Sequence, residues 1–230
     1  MERRRLLSHA ALATLFAVSP SSVVAAGLQG PAARGRARRA IPKPGPMLPP
    51  VPAIITSVHG QPGDPDELSV LWTFVVNGDP PQVGVAPGDE HIAGALITRH
   101  REFVLNVPVA SMIHAFDRLD FSSSRPADKY ALSGLTRGAA TVVKAPTVNE
   151  APIQLECRVS HVLRVPPVRT VFIADVVATT VHEGICDDDG RLRPESAAFF
   201  GMMAGCGEFY TMDRKVGHIG QSVGRNDIRY

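Results

Sequence analysis

Cysteine is scarce in this chain. There are three, Cys157, Cys186 and Cys206. None stands in a Cys-x-x-Cys pair or at Cys/His zinc spacing, and an odd count does not make a disulfide framework. His59, His91, His100, His114, His161, His182 and His218 never fall at His-x-x-x-His or His-Glu-x-x-His spacing, so no metal site is expected. Asp187-Asp188-Asp189-Gly190 is only superficially a calcium loop, because Glu195 comes too early to be its distal ligand; it reads as a solvated turn. No Gly-x-Ser-x-Gly elbow is present. Cys206, in Gly205-Cys206-Gly207, has no base beside it, and a small buried cysteine is the commoner role. No catalytic side chain is therefore assigned. No apolar run is long enough to span a bilayer. A basic surplus is also missing. The formal charge of +2 comes from residues 1–40, which hold seven Arg and one Glu; the remaining 17 basic and 21 acidic residues carry −4. Such a body lacks the footprint that nucleic acid requires.

Glycine and proline, by contrast, number 20 each, while aromatics make up 6%. That favours many turns over long helices. Residues 1–40 form a region apart. Arg3-Arg4-Arg5 precedes an apolar run over residues 6–18, and small residues follow up to Ala25-Ala26, the layout of a secretory signal. Residues 30–39 are rich in Ala, Arg and Gly without periodicity, as in a disordered extension. We expect a cytoplasmic protein with a dispensable extension over 1–40 and one domain over 41–230; the alternative is export through residues 1–26. Within the body, β patterns fall at 53–58, 69–75, 82–86, 103–107, 140–144, 153–163, 170–181 and 208–212. Short helices are expected at 89–99, with Asp89 as N-cap, and at 109–116. Closely spaced strands with few helices indicate an antiparallel barrel.

The most informative stretch is 68–108. Leu71-Trp72-Thr73-Phe74-Val75 runs to Asn77, Asp79-Pro80-Pro81 turns the chain, and a later strand exits at Asn106. Ser122-Ser123-Ser124-Arg125 is followed by Asp128-Lys129-Tyr130. On pattern alone, Trp72 and Phe74 read as strand core, and Arg125 with Asp128 as a solvated, salt-bridged loop. Taken together, from about Lys43 to about Arg225, the chain resembles the flavin reductase-like, FMN-binding split-barrel family, flavoredoxin type.

The resemblance implies a mainly β, Greek-key-like antiparallel split barrel with short helices, assembled as a homodimer. It implies FMN as cofactor and NAD(P)H as co-substrate, with a partner oxygenase or another electron acceptor downstream. By the same resemblance, Trp72, Thr73, Phe74, Val75 and Asn77 line the flavin ring, with Thr73 offering a hydroxyl and Trp72 walling the slot. His91 and Ala93 occupy the positions of a basic residue and a Ser or Thr that hold the phosphate. Ala93 has no hydroxyl, so Thr98, Asn106 or main chain must supply the missing donor. Ser124, Arg125 and Lys129 match the family's Ser-Gly-Arg and Asp-Lys loop and would bring positive charge. Val168-Arg169-Thr170 stands where a His is usual. The implied activity is NAD(P)H-dependent flavin reduction or flavin-mediated electron transfer. The alternative is a split-barrel binding protein that has lost its flavin.

Overall fold

A computed structural model describes residues 37–225. The signal-like segment 1–26 lies outside the described residues, as does the rest of the 1–40 extension except residues 37–40, which are exposed and without regular structure. The compact unit begins at Gly45.

Twelve strands occur among the described residues: β1 (Val51–Pro52), β2 (Ile55–Val58), β3 (Glu67–Val70), β4 (Trp72–Gly78), β5 (Pro81–Ala86), β6 (Glu102–Val107), β7 (Arg137–Gly138), β8 (Thr147–Val148), β9 (Ile153–Val165), β10 (Arg169–Val181), β11 (Phe200–Met203) and β12 (Glu208–Thr211). The helices are α1 (Ile92–His100), α2 (Ile113–Asp120) and α3 (Lys129–Ser133). Seven strands form one antiparallel sheet in the order β3-β2-β6-β9-β10-β5-β4.

The first strand, β3, and the last, β4, are consecutive in sequence. A single strand was expected over residues 69–75; instead the chain breaks at Leu71 and passes from one end of the sheet to the other. The sheet curls into a barrel at this corner, and Leu71 is buried there. Apolar alternation cannot reveal such a corner, because the pattern continues through it.

Two main apolar cores follow from the period of two along the strands, beside a small cluster of Val104, Val143 and Ala145. Val58, Leu71, Val85, Phe103, Leu105, Phe172 and Ala174 pack against Ala93, Leu96 and Ile97 of α1. On the other side, Ile55, Leu68, Val148 and Ala151 pack with Met112, Phe116, Leu119 and Phe200. There the rings of Phe116, Phe200 and Phe209 meet edge to face, with centroids 5.5–5.8 Å apart. Ile55 and Val58 lie on opposite faces of β2, so this strand is covered on both sides.

Two further expectations are corrected, and one helix is new. Residues 140–144 form no strand. Their main-chain donors turn inward, and Glu156, fully buried, accepts from the N–H of Thr141 (2.7 Å), Val142 (2.6 Å) and Val143 (2.9 Å). Burial alone would raise the pKa of this carboxyl, but the hydrogen bonds from Thr141 and the loop amides outweigh it and hold the pKa down. Asp89 is not the N-cap of α1; that place is taken by His91, without a side-chain capping bond. Finally, α3 was not anticipated. Asp128 caps it by accepting from Ala131 N–H at 3.1 Å, and Gly134 ends it with φ of 74°.

Candidate functional site

Register along the sheet brings several of the expected residues to one end of the barrel. Trp72 opens β4 opposite Ala86, the last residue of β5. The chain then runs through Pro87, Gly88 and Asp89 to His91 at the start of α1. The first residues of β10 close over this loop: Gly88 bridges Arg169, Thr170 N–H donates to Pro87 O, and Arg169 Nη1 donates to Ala86 O at 2.7 Å. From the other side, Ser123 O accepts the N–H of Ile92 at the first turn of α1, which places the exposed Ser124 and Arg125 beside it.

A cavity of about 170 Å³ lies between the 87–98 segment and the start of β10, lined by Gly88, Asp89, His91, Gly94, Thr98 and Thr170 among others. Asp89 and Arg164 form a two-pronged ion pair at this wall, with Nη2 to Oδ2 at 2.6 Å. The guanidinium holds the Asp89 carboxyl below its usual pKa. His91 Nε2 lies 3.3 Å from Glu90 Oε1, and its Nδ1 is buried without a hydrogen-bond partner among the described residues. Burial pushes the His91 pKa down, Glu90 and Asp120 oppose this, and Arg169 adds to it.

On β4, Trp72, Phe74, Val75, Val76 and Asn77 are all exposed. Among the described residues β4 pairs only with β5, so the main-chain groups of its other edge stand outside the ladder. Phe74 lies over Gly84; a Cβ there would come within 2.3 Å of the ring, so only glycine lets the ring lie against β5.

Four other expected residues sit elsewhere. Thr73 is buried and donates its hydroxyl to Leu71 O at 3.0 Å. Ala93 has no exposed surface and belongs to the barrel core, so its Cβ does not face the cavity. Asn106 is fully buried: its amide donates to Ile55 O (3.0 Å) and Ser57 Oγ (2.9 Å), and its Oδ1 accepts from Val148 N–H (2.8 Å). Lys129 is fully buried too, donating to the main-chain oxygens of Ser122 and Arg125. These polar side chains brace the fold, and a ligand finds no open donor on them. Asp128 is engaged in capping α3.

Sequence reasoning missed Gly88, Arg164 and Thr170. Thr170 carried a signal, since it lies in the segment where the resemblance led us to expect a different residue. Arg164 carried none, because it lies 75 residues from Asp89. A second cavity of about 320 Å³ lies toward the far end of β10, lined by Thr147, Asn149, Gln154, Thr180 and His182 among others; no expected site residue reaches it.

Comparison with known proteins places the fold. Residues 48–195 match the family described as flavin reductase like domain. The chain belongs to this family. The flavoredoxin of Desulfovibrio vulgaris (Miyazaki F) is similar, with a TM-score of 0.73 at 20% identity, covering 80% of this chain and 97% of that one. Component B of nitrilotriacetate monooxygenase from Bacillus cereus has a TM-score of 0.67 at 19% identity, covering 76% and 90%. An FMN-binding protein from Thermus thermophilus reaches 0.64 at 21% identity, covering 80% and 97%. An uncharacterized protein of Pyrococcus abyssi is 30% identical over 133 residues, 56% of this chain and 73% of that one. These structural likenesses establish the split-barrel, flavin reductase-like fold, mostly β with a few short helices. Among the described residues no helix is long and apolar enough to cross a membrane.

Proposed function

We propose that this member of the family binds FMN, accepts reducing equivalents from NAD(P)H and passes them to an acceptor. One observation carries the reading: the Trp72 end of β4, the loop leading to His91, Thr170 and the loop bearing Ser124 and Arg125 converge at one end of the barrel. The residues present fit the cofactor. A flat apolar ring needs an apolar face with main chain at its edge, which β4 offers through Trp72 and Phe74. A phosphate needs donors and positive charge, which His91, Thr170, Arg125 and Arg164 can supply around the cavity. FMN supplies the hydride-accepting chemistry when bound. The protein's part is to hold the ring against β4, to keep water from its face, and to leave room for a nicotinamide. No side chain is needed as a general acid.

The family trait of pairing fits the same surface. Val75, Val76, Val162, Leu163, Val165 and Val168 are exposed on β4 and around the β9–β10 hairpin. We read this apolar area as the homodimer contact, with each copy closing the other's flavin slot. Electron acceptors of the monooxygenase class fit this chemistry.

The test is titration of the purified full chain with FMN. Quenching of flavin fluorescence with saturation, followed by bleaching of the visible flavin band on anaerobic addition of NADH or NADPH, is expected. Unchanged flavin fluorescence at high protein concentration would overturn the reading and leave a flavin-free binding protein. Binding without bleaching would remove the reductase part alone.

A further inference from the structure

The cavity at the start of α1 has acids at its wall. Asp89 lines it and Glu90 is adjacent, and each faces a neighbouring donor. Asp89 takes both prongs of Arg164. Glu90 folds over Gly88, where a Cβ would come within 2.3 Å of its Oε1, and reaches His91 Nε2 at 3.3 Å. A guanidinium fork fits a carboxylate and a phosphate equally well. Arg164 is also held without Asp89: Nη1 reaches Thr170 Oγ1 at 3.2 Å and Nη2 reaches Pro167 O at 3.3 Å. Removing the Asp89 charge therefore leaves the guanidinium at the cavity wall. Both acids are exposed, Asp89 by 43% and Glu90 by 60% of the side chain, so they can swing away without disturbing the core.

We propose that Asp89 and Glu90 are a built-in occupant of the phosphate subsite, and that a flavin phosphate enters by displacing Asp89 from Arg164. This rests on the flavin reading above and goes beyond it. It makes Arg164, rather than Arg125 or Lys129, the cation that recognises the phosphate. It also makes the two acids a specificity device. They offset the positive charge that would otherwise favour a dianion, so the native chain discriminates weakly between FMN and riboflavin. Ala93 plays no part in this, since its side chain lies in the core.

The experiment compares FMN and riboflavin affinities, by fluorescence titration at fixed salt, for the native chain, Asp89→Asn, Glu90→Gln, Arg164→Ala and Asp89→Asn/Arg164→Ala. Asp89→Asn should tighten FMN by about tenfold, the scale of one charge-assisted contact regained, and leave riboflavin within about twofold. Glu90→Gln should act in the same direction with a smaller effect. Arg164→Ala should weaken FMN alone. In its background Asp89→Asn should have no effect, the non-additivity expected of a shared contact. All three positions being exposed, matching melting temperatures check that each of the four variants folds. If both flavins bind but their affinity ratio stays constant across the set, or if Asp89→Asn acts equally with and without Arg164, the proposal falls and the flavin reading stands. If neither flavin binds the native chain or any variant, both fall.

Discussion

Lys129 Nζ lies 4.0 Å from Glu67 Oε1, and both residues are closed off from solvent. Ser69 Oγ donates to the same carboxyl oxygen at 2.7 Å. The lysine is anchored at its other side on the carbonyls of Ser122 and Arg125. Strand β3 is thereby tied to the loop that carries Ser124 and Arg125 toward the start of α1. A buried pair of this kind adds little net stability, yet losing one partner is destabilising.

The pair gives stability a pH dependence. Burial raises the Glu67 pKa from the ordinary 4.5 to about 7, against the opposing effects of Ser69 and Lys129. Below pH 4.5 the carboxyl is protonated in both folded and unfolded chains. Between 4.5 and 7 the unfolded chain releases this proton while the folded chain keeps it, so stability falls as pH rises through that window. A shift of this size corresponds to roughly 3 kcal/mol. Urea midpoints for the native chain should decline across it, and those of Glu67→Gln should lack this component. Equal slopes for the two proteins would show that Glu67 titrates normally.

Lys129→Met should destabilise by about 2–4 kcal/mol, since two buried carbonyls lose their donor. FMN affinity, measured well below the melting temperature, should change little. A large loss of affinity with unchanged stability would return Lys129 to the flavin site.

The barrel was legible because the strands alternate cleanly: Ile55 and Val58, Phe103 and Leu105 each announce a face. The seam at Leu71 was not, since apolar alternation is the same on both sides of a corner. The resemblance, not the pattern, proposed Trp72 and His91; His91 lines the cavity at the start of α1, and Trp72 is exposed at the start of β4. Asn106 and Lys129 were misjudged for one physical reason. A polar side chain in a motif reads as available, and sequence does not show that main-chain carbonyls or amides have already claimed it. Arg164 reaches Asp89 only through the closing of β9 and β10 over the 87–89 loop, a long-range contact with no local signature.

Ala93 gives a prediction opposite to the one its motif position invites. A hydroxyl there enters a core of Val85, Leu96, Ile97 and Phe172 rather than a phosphate site. Ala93→Ser should cost about 1–3 kcal/mol for burying a hydroxyl among apolar groups. It should not raise the affinity for FMN relative to riboflavin. Denaturant unfolding together with paired flavin titrations checks both halves. A selective gain for FMN would mean that the first turn of α1 faces the ligand.

Trp72 is the only tryptophan in the chain, which makes it a built-in reporter. It is partly exposed at the start of β4, opposite Ala86 and one step from the loop that leads into the cavity. A flavin ring lying on β4 would come into contact with the indole and quench its emission. FMN titration should therefore quench Trp72 fluorescence with the same midpoint as the flavin signal. Riboflavin should quench to the same extent at saturation, because the ring and not the phosphate meets the indole. Trp72→Phe keeps an aromatic wall and should change affinity by less than about 1 kcal/mol. Trp72→Ala removes a stacking surface, and a loss of about 1–3 kcal/mol is expected. The exposure of Trp72 implies that neither variant disturbs the barrel, so melting temperatures should stay close to native. If the indole emission is untouched while flavin fluorescence is quenched, the ring binds away from β4. The assignment of Phe74, Val75 and Asn77 would then have to be moved with it, while the cavity at α1 would be tested separately as a phosphate subsite by the Arg164 variants.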